Sequence, residues 1–268
     1  MAKKTNCRNG LKNMRDMKNK KEESSKLIKK GNHKENLSSS VLFTFTPKME
    51  YMFDMLHNGI IPRYVYERLP GSKKYYIAPM KCFCDIPLGK VKNHMERYGY
   101  FGIGLKKSFL QQYGVTPVIY MHKNSETYFG VKKMKGLKME EAPFLPLLKR
   151  YYGDDYYFIE GENEPIRKRI HFYDEREWRY LPKNIKPESC KKFNKISEGI
   201  RFASKMNANI SSYLQPLKLP ADAIEYIIIS KKKELAATMN QLRQKFGRPE
   251  MELLFTKIII AENILNDF

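Results

Sequence analysis

The chain has 268 residues, of which 42% are hydrophobic, and its 50 Lys and Arg residues outnumber 29 Asp and Glu residues, giving a net charge of +21. This length and composition can bury a hydrophobic core, which excludes a wholly disordered protein. No apolar run approaches the roughly 18–20 residues that cross a bilayer, and no apolar segment follows the charged N-terminus. We therefore expect a cytoplasmic protein with no membrane partner.

The first 38 residues differ in composition from the rest. Residues 1–38 contain 12 Lys and Arg and 4 Asp and Glu residues, a net charge of +8, and few large apolar side chains. Such a segment cannot bury enough surface to offset its conformational entropy. We predict a basic, disordered tail at 1–38 and a single domain at 39–268. The tail and the basic surface make nucleic acid a candidate partner, although a solvated lysine-rich surface explains the charge equally well.

Order is predicted to begin at "VLFTFT", residues 41–46, a strand by its branched and aromatic content. The segment 47–58 has apolar residues at helical spacing, with Thr46 as the predicted N-cap and Gly59 as the end of the helix. Short strands and helices then alternate. We predict a buried helix over 142–157 and a closing strand over 251–264. No dinucleotide-binding glycine motif follows a strand. These features predict an α+β fold: one domain with a mixed or split, largely antiparallel sheet and flanking helices.

The stretch "HFYDEREWRYLP", residues 171–182, holds five charged residues and the only tryptophan. Alternation along a strand would place charges on both faces: Glu175, Glu177 and Arg179 on one, and Asp174, Arg176, Trp178 and Tyr180 on the other. A buried strand tolerates such charges only with partners. One interpretation is an edge strand with self-paired charges. The other is a carboxylate held beside an arginine in a cleft, which the aromatic neighbours favour.

Other chemistries find little support in the sequence. The cysteines, at positions 7, 82, 84 and 190, lack zinc-like spacing and are interpreted as reduced and structural. No histidine has a second histidine three or four residues away, so we predict no metal site. No Gly-x-Ser-x-Gly nucleophile motif is present.

Three segments together resemble the AbiGi family of abortive-infection proteins: "LFTFTPKMEYMFDMLHNGIIPRYVYE", "PMKCFCDIPLGKVKNHMERYGYFGIGLKKSF" and "FYDEREWRYLP". The segment "LPADAIEYIIISKKKE" is similar to its C-terminal part, so the resemblance covers residues 41–235. It implies a phage-defence protein that acts as an antitoxin-type regulatory partner of a nucleotidyltransferase-like toxin.

The order of elements is also similar to that of DarT-type ADP-ribosyltransferases, which implies NAD as cofactor. On this likeness Glu177, Tyr100 and Thr44 would be catalytic, and Thr44, Arg63, Tyr98 and Tyr100 would bind the cofactor. Asp85, Glu175 and Arg179 are further candidates for the site. A carboxylate opposite a developing cationic sugar would lower the barrier to transfer.

These observations leave two leading hypotheses. The first is a non-enzymatic partner that binds or silences a toxin, and the second is an NAD-dependent enzyme that modifies nucleic acid or protein during infection. In the resembling enzymes the residue at the position of Thr44 is often His. Threonine is shorter, cannot stack and cannot carry charge, which favours the first hypothesis.

Overall fold

The structure, a computed structural model, describes residues 38–72, 74–133, 144–157, 166–183 and 190–267. Residues 1–37 of the predicted basic tail lie outside this part of the chain, so their disorder stays a prediction. Ser38–Phe268 form one unit. Over the described ranges, no helix has both the length and the apolar character needed to cross a membrane.

Thirteen strands are defined in the described residues: β1 (Val41–Thr46), β2 (Arg63–Arg68), β3 (Tyr75–Cys84), β4 (Phe101–Lys106), β5 (Thr116–Pro117), β6 (Ile119–Met121), β7 (Leu148–Arg150), β8 (Tyr152–Tyr157), β9 (Ile166–His171), β10 (Glu177–Tyr180), β11 (Lys191–Phe193), β12 (Ile224–Ile229) and β13 (Ile258–Ile260). The helices of the same ranges are α1 (Met49–Asn58), α2 (Lys92–Tyr98), α3 (Lys107–Gln112), α4 (Glu126–Lys133), α5 (Ile196–Ala208), α6 (Leu235–Lys245), α7 (Arg248–Phe255) and α8 (Ala261–Asp267).

The main sheet has the strand order β13-β12-β4-β1-β3-β10-β5, and β2 and β11 pair with β3. Its pairings are antiparallel except for β12 with β13. A parallel pair, β6 and β7, and an antiparallel pair, β8 and β9, stand apart from it. The predicted α+β class with a mixed, largely antiparallel sheet is therefore confirmed.

The two faces of the main sheet carry different cores. On β1, Leu42 belongs to a large apolar cluster with residues of α1, α6 and α7. The alternate residues Phe43 and Phe45 belong to a second cluster with residues of α2 and α8. Because side chains alternate along a strand, this division assigns every residue of β1 to one face or the other.

The predicted helix over 142–157 is wrong. Leu145–Leu147 form a 3-10 turn, and the chain then enters β7 and β8. Pro146 lacks the N–H that a continuing helix would need, and the tyrosine-rich sequence after it suits a strand. The leucine-rich sequence at 145–148 therefore forms a turn and a strand rather than a helix.

Two boundary predictions also fail. Thr46 is the last residue of β1 rather than a cap, and Lys48 precedes α1 without a side-chain capping bond. The predicted closing strand over 251–264 is helical at both ends, with only Ile258–Ile260 extended. The predicted end of α1 is confirmed: Gly59 has φ 90° and its N–H donates to the Met55 carbonyl at 3.0 Å.

Candidate functional site

The candidate site forms where β3 bends and brings residues of β2 and β10 together. Glu67 of β2 pairs in register with Tyr76, and Arg179 of β10 pairs with Cys82, six positions further along β3. A straight strand would hold these pairing positions about 20 Å apart. Instead, Arg179 Nη2 lies 2.5 Å from Glu67 Oε2. The strand must therefore bend between the two positions, and Pro79 lies within that interval.

Glu177 lies at the centre of a group of charged side chains next to this bend. Its Oε1 accepts a hydrogen bond from Arg179 Nε at 2.7 Å, and its Oε2 accepts one from Lys149 Nζ at 2.6 Å. Its backbone N–H donates to the Tyr120 hydroxyl at 2.8 Å. Only 5% of Glu177 and 1% of Arg179 is exposed. Both carboxylate oxygens are therefore occupied by cations in a buried setting.

Glu175 reaches the same cluster from a 3-10 turn at Phe172–Glu175, just before β10. Its Oε2 accepts a hydrogen bond from Lys149 Nζ at 2.6 Å, and its Oε1 accepts bonds from Arg97 and from the Tyr98 hydroxyl. The next residue, Arg176, has φ 43°. Glu175, Glu177 and Arg179 thus converge as predicted, although the strand itself starts only at Glu177.

The cluster balances its own charge. Three carboxylates, from Glu67, Glu175 and Glu177, face three cations, from Arg97, Lys149 and Arg179. Buried charges persist only when they are paired and hydrogen-bonded, and removing one partner exposes the full desolvation cost of the other. We call these six residues the ionic cluster.

The pKa values of the cluster follow from burial and pairing. Burial by itself would raise the pKa of the Glu177 carboxyl, but the charges of Arg179 and Lys149 outweigh it and hold that pKa well below its usual range. Burial would lower the pKa of Lys149, but Glu177, Glu67 and Glu175 together hold it well above its usual value. Both groups therefore stay charged near neutral pH.

The ionic cluster forms one wall of an open cleft of about 600 Å³. Its other walls come from β2, the middle of β3, α2 and α5, through residues that include Tyr64, Cys82, His94, Tyr98, Ser204 and Asn207. Burial, reinforced by the Arg97 charge, lowers the pKa of His94 to about 4, so this imidazole is neutral. The cleft thus presents aromatic, amide and hydroxyl groups beside a charge-neutral wall.

The structure places only part of the predicted site on this cleft. Glu177, Glu175 and Tyr98 line it, and Arg179 lies behind Glu177. Thr44 belongs to the other face of the sheet: Phe43 and Glu177 both pair with Cys84, so the alternate residue Thr44 points away from Glu177. The predicted meeting of Thr44 and Glu177 does not occur.

The remaining candidates also lie elsewhere. Tyr100 is 36% exposed on the turn before β4, and Arg63 is exposed and donates to the Asn207 carbonyl at 3.4 Å. Neither is among the residues that line the cleft. The residues that the transferase likeness assigns to NAD therefore do not surround one space, and we derive no reaction step through that cofactor.

Asp85 has a separate role. Its Oδ1 accepts the backbone N–H of Ser39 at 2.8 Å, and its Oδ2 accepts the Ser38 hydroxyl at 2.7 Å and Lys107 Nζ at 2.9 Å. These bonds attach the segment before β1 to β3 and α3. Within the described ranges, no group of three His, Cys, Asp or Glu residues could hold a metal ion.

Sequence reasoning missed the partners of the β10 charges. Glu67, Arg97 and Lys149 come from three elements that lie 28 to 110 residues away from Glu177 along the chain, and Lys149 sits in the segment predicted as a helix. One signal was available. Two buried carboxylates with one arginine require further cations, and a lysine inside the apolar "PLLKRYY" is an evident source.

Residues 58–230 match the family model described as "Putative abortive phage resistance protein AbiGi, antitoxin". The chain is 26% identical over 250 residues to the abortive phage resistance protein AbiGi of Lactococcus lactis subsp. cremoris, covering 78% of this chain and all of that protein. No solved structure matches, and the likeness to DarT-type transferases stays a prediction. The family match extends over more than half of the chain, which therefore belongs to the AbiGi family of abortive phage resistance proteins.

Proposed function

We propose that this protein serves abortive phage resistance as an antitoxin-type partner that binds and silences a toxin, and that it does so without catalysing a reaction. The description of its family as an antitoxin supports the regulatory role. The toxin is expected to be a separate protein, and the cleft beside the ionic cluster is the surface that we assign to it.

The proposal rests on one observation: both carboxylate oxygens of Glu177 are paired with cations. Transfer through a cationic sugar would need a carboxylate whose negative charge faces the substrate. Here Arg179 and Lys149 hold both oxygens of that carboxylate at 2.6–2.7 Å. The paired charge offers little net attraction to a developing cation. The Lys149 bond also joins β7 to β10, and the Arg179–Glu67 pair joins β10 to β2. The cluster is therefore suited to shaping a rigid binding surface.

The transferase hypothesis would need a different geometry. Thr44 would have to share a cleft with Glu177, but the two lie on opposite faces of the sheet. The cleft does hold an aromatic residue, Tyr98, beside the carboxylates, but its hydroxyl donates to Glu175 at 2.9 Å. The His94 ring and Arg97 Cζ also lie 4.5 Å and 4.9 Å from the centroid of the Tyr98 ring, so this ring is already packed and is not a free platform for a nicotinamide ring.

A cleft-filling substitution tests the proposal. Ser204 is exposed and lines the cleft from α5, whereas its neighbour Lys205 is exposed outside the lining. Ser204→Trp should obstruct part of the cleft without removing a cluster contact, and Lys205→Trp is its matched control. The parent and the two variants are co-expressed in bacteria with nucleotidyltransferase-like toxin candidates, and colony survival is measured.

We expect Ser204→Trp to lose neutralisation by at least tenfold in surviving colonies with an unchanged melting temperature, while Lys205→Trp protects as the parent does. Full protection by Ser204→Trp would contradict the assignment of the toxin to the cleft. Failure of the parent chain to protect against any toxin candidate would contradict the antitoxin role itself.

A further inference from the structure

A second surface lies apart from the cleft, around β6, β7 and the β8–β9 pair. A pocket of about 180 Å³ is lined there by Arg68, Lys123 and Arg150, together with Ser72 and Tyr152. The described residues that line it include three cations and no carboxylate. The pocket has the charge and size to accept a phosphate group.

A chain of aromatic rings leads to this pocket. Tyr173 has its ring centroid 5.3 Å from those of Tyr120 and Tyr151, and the Tyr151 ring lies 5.4 Å from that of His171. The His171 ring in turn stacks on Tyr152 at 6.1 Å, and Tyr152 also lines the pocket. We call these five rings the ring path. Tyr173 is 50% exposed and His171 is exposed, whereas Tyr120, Tyr151 and Tyr152 are half-buried.

Cations accompany the ring path. Lys123 Nζ lies 5.8 Å and Arg169 Cζ 5.2 Å from the centroid of the Tyr152 ring, and both side chains are exposed. Asp154 lies opposite Arg169 in the β8–β9 ladder. The described residues that line the pocket or contact the Tyr152 ring thus carry four cations, whereas Asp154 of the ladder and exposed Asp174, next to Tyr173, supply two carboxylates.

We propose that the ring path and its pocket bind single-stranded nucleic acid. Aromatic faces stack on unpaired bases of any sequence, and flanking cations hold the phosphates between them. An acidic protein would use the cations but would gain little from a series of rings. A duplex keeps its bases stacked inside and offers the rings nothing. This function goes beyond neutralisation of a toxin and does not depend on it.

The test uses the full-length chain and labelled single strands of about 20 nucleotides, longer than one binding module covers. Oligouridylate, oligothymidylate and a duplex of equal length are the three probes, and anisotropy gives the affinity across a salt series. Tyr173→Ala removes an exposed ring from the path, and Tyr51→Ala, whose residue is 54% exposed on α1, is the matched control. Melting temperatures establish that each variant is folded.

We expect Tyr173→Ala to weaken single-strand binding about fivefold or more, the effect of one lost base stack, with the salt dependence unchanged. Tyr51→Ala should bind as the parent does. The double variant Lys123→Ala with Arg169→Ala should reduce the slope of log affinity against log salt by about 1.4, whereas Lys232→Ala with Lys233→Ala should leave it unchanged. A preference for oligouridylate or oligothymidylate would identify RNA or DNA as the ligand.

Three results would overturn the proposal. The first is no measurable binding of either single strand. The second is equal losses in Tyr173→Ala and Tyr51→Ala. The third is duplex binding as tight as single-strand binding with no effect of Tyr173→Ala, because charge alone, including that of the basic residues 1–38, would then explain the affinity.

Discussion

The two faces of β10 carry opposite kinds of side chain, one apolar and one charged. Trp178 and Tyr180 point to one side and pack against the large apolar cluster. Glu177 and Arg179 point to the other side and join the ionic cluster. Apolar packing loses stability gradually when atoms are removed, because each contact contributes a little. Paired buried charges depend on one another, so removing one group leaves its partner buried without a counter-charge.

Arg179→Ala should produce the largest loss of stability. The substitution leaves the buried Glu177 and the partly buried Glu67 without the guanidinium that pairs with both. We expect the free energy of unfolding in urea to fall by about 3–5 kcal/mol. Arg248→Ala is the control, because Arg248 is an exposed residue in a surface pair with Glu252 and should lose only about 0.5 kcal/mol. Equal losses in the two variants would show that the buried charges do not depend on one another.

Trp178→Ala probes the apolar face of the same strand. The ring is partly buried against the large apolar cluster, and Lys107 Nζ lies 5.2 Å from its centroid. We expect a loss of about 3 kcal/mol in the free energy of unfolding, the lower end of the range for tryptophan in a core. Tyr51→Ala should change stability by less than about 0.5 kcal/mol, as exposed substitutions do. A Trp178→Ala protein as stable as the Tyr51→Ala protein would show that this face contributes no packing.

His94 gives the smallest expected effect and a test by pH. Its pKa is about 4 in the folded protein because of burial and the Arg97 charge, against about 6.5 in an unfolded chain. Between pH 6.5 and pH 4 the unfolded state binds a proton that the folded state does not, so stability falls as the pH falls. Allowing for partial exposure, we expect about 2 kcal/mol of this loss to come from His94.

The comparison with His94→Gln isolates this contribution. That variant should lose less stability than the parent between pH 6.5 and pH 4. If stability depended on pH identically in the parent and in His94→Gln, His94 would bind protons equally well in the folded and unfolded states. Glu177, whose folded pKa is depressed, contributes its loss at lower pH, below about 4.3.

Much of the fold follows from local sequence patterns. The branched strand at Val41–Thr46 and the helix ending at Gly59 were predicted because their signals lie within a few residues of one another. The segment around Pro146 was predicted wrongly, because a leucine run fits a buried helix and a buried strand equally well. Its true structure depends on pairing with β6 and β9, which lie outside the segment.

The candidate site was predictable only in part, for a related reason. Charge on both faces of "DEREWRY" correctly indicated that partners must exist. The identity of those partners depends on the bend in β3, which brings Glu67 to Arg179 across six strand positions. The position of Thr44 likewise depends on register, since a shift of one residue changes the face of the sheet.

The most direct test of the central claim is Glu177→Gln, which keeps the size of the side chain and removes its charge. The variant is scored for melting temperature, for neutralisation of a co-expressed toxin and for release of nicotinamide from NAD. We expect a lower melting temperature, because Arg179 and Lys149 lose a shared counter-charge. The variant should neutralise the toxin in proportion to its folded fraction. Neither the parent nor the variant should release nicotinamide. Nicotinamide release by the parent that disappears in Glu177→Gln, with an unchanged melting temperature, would contradict a binding function and establish an enzyme.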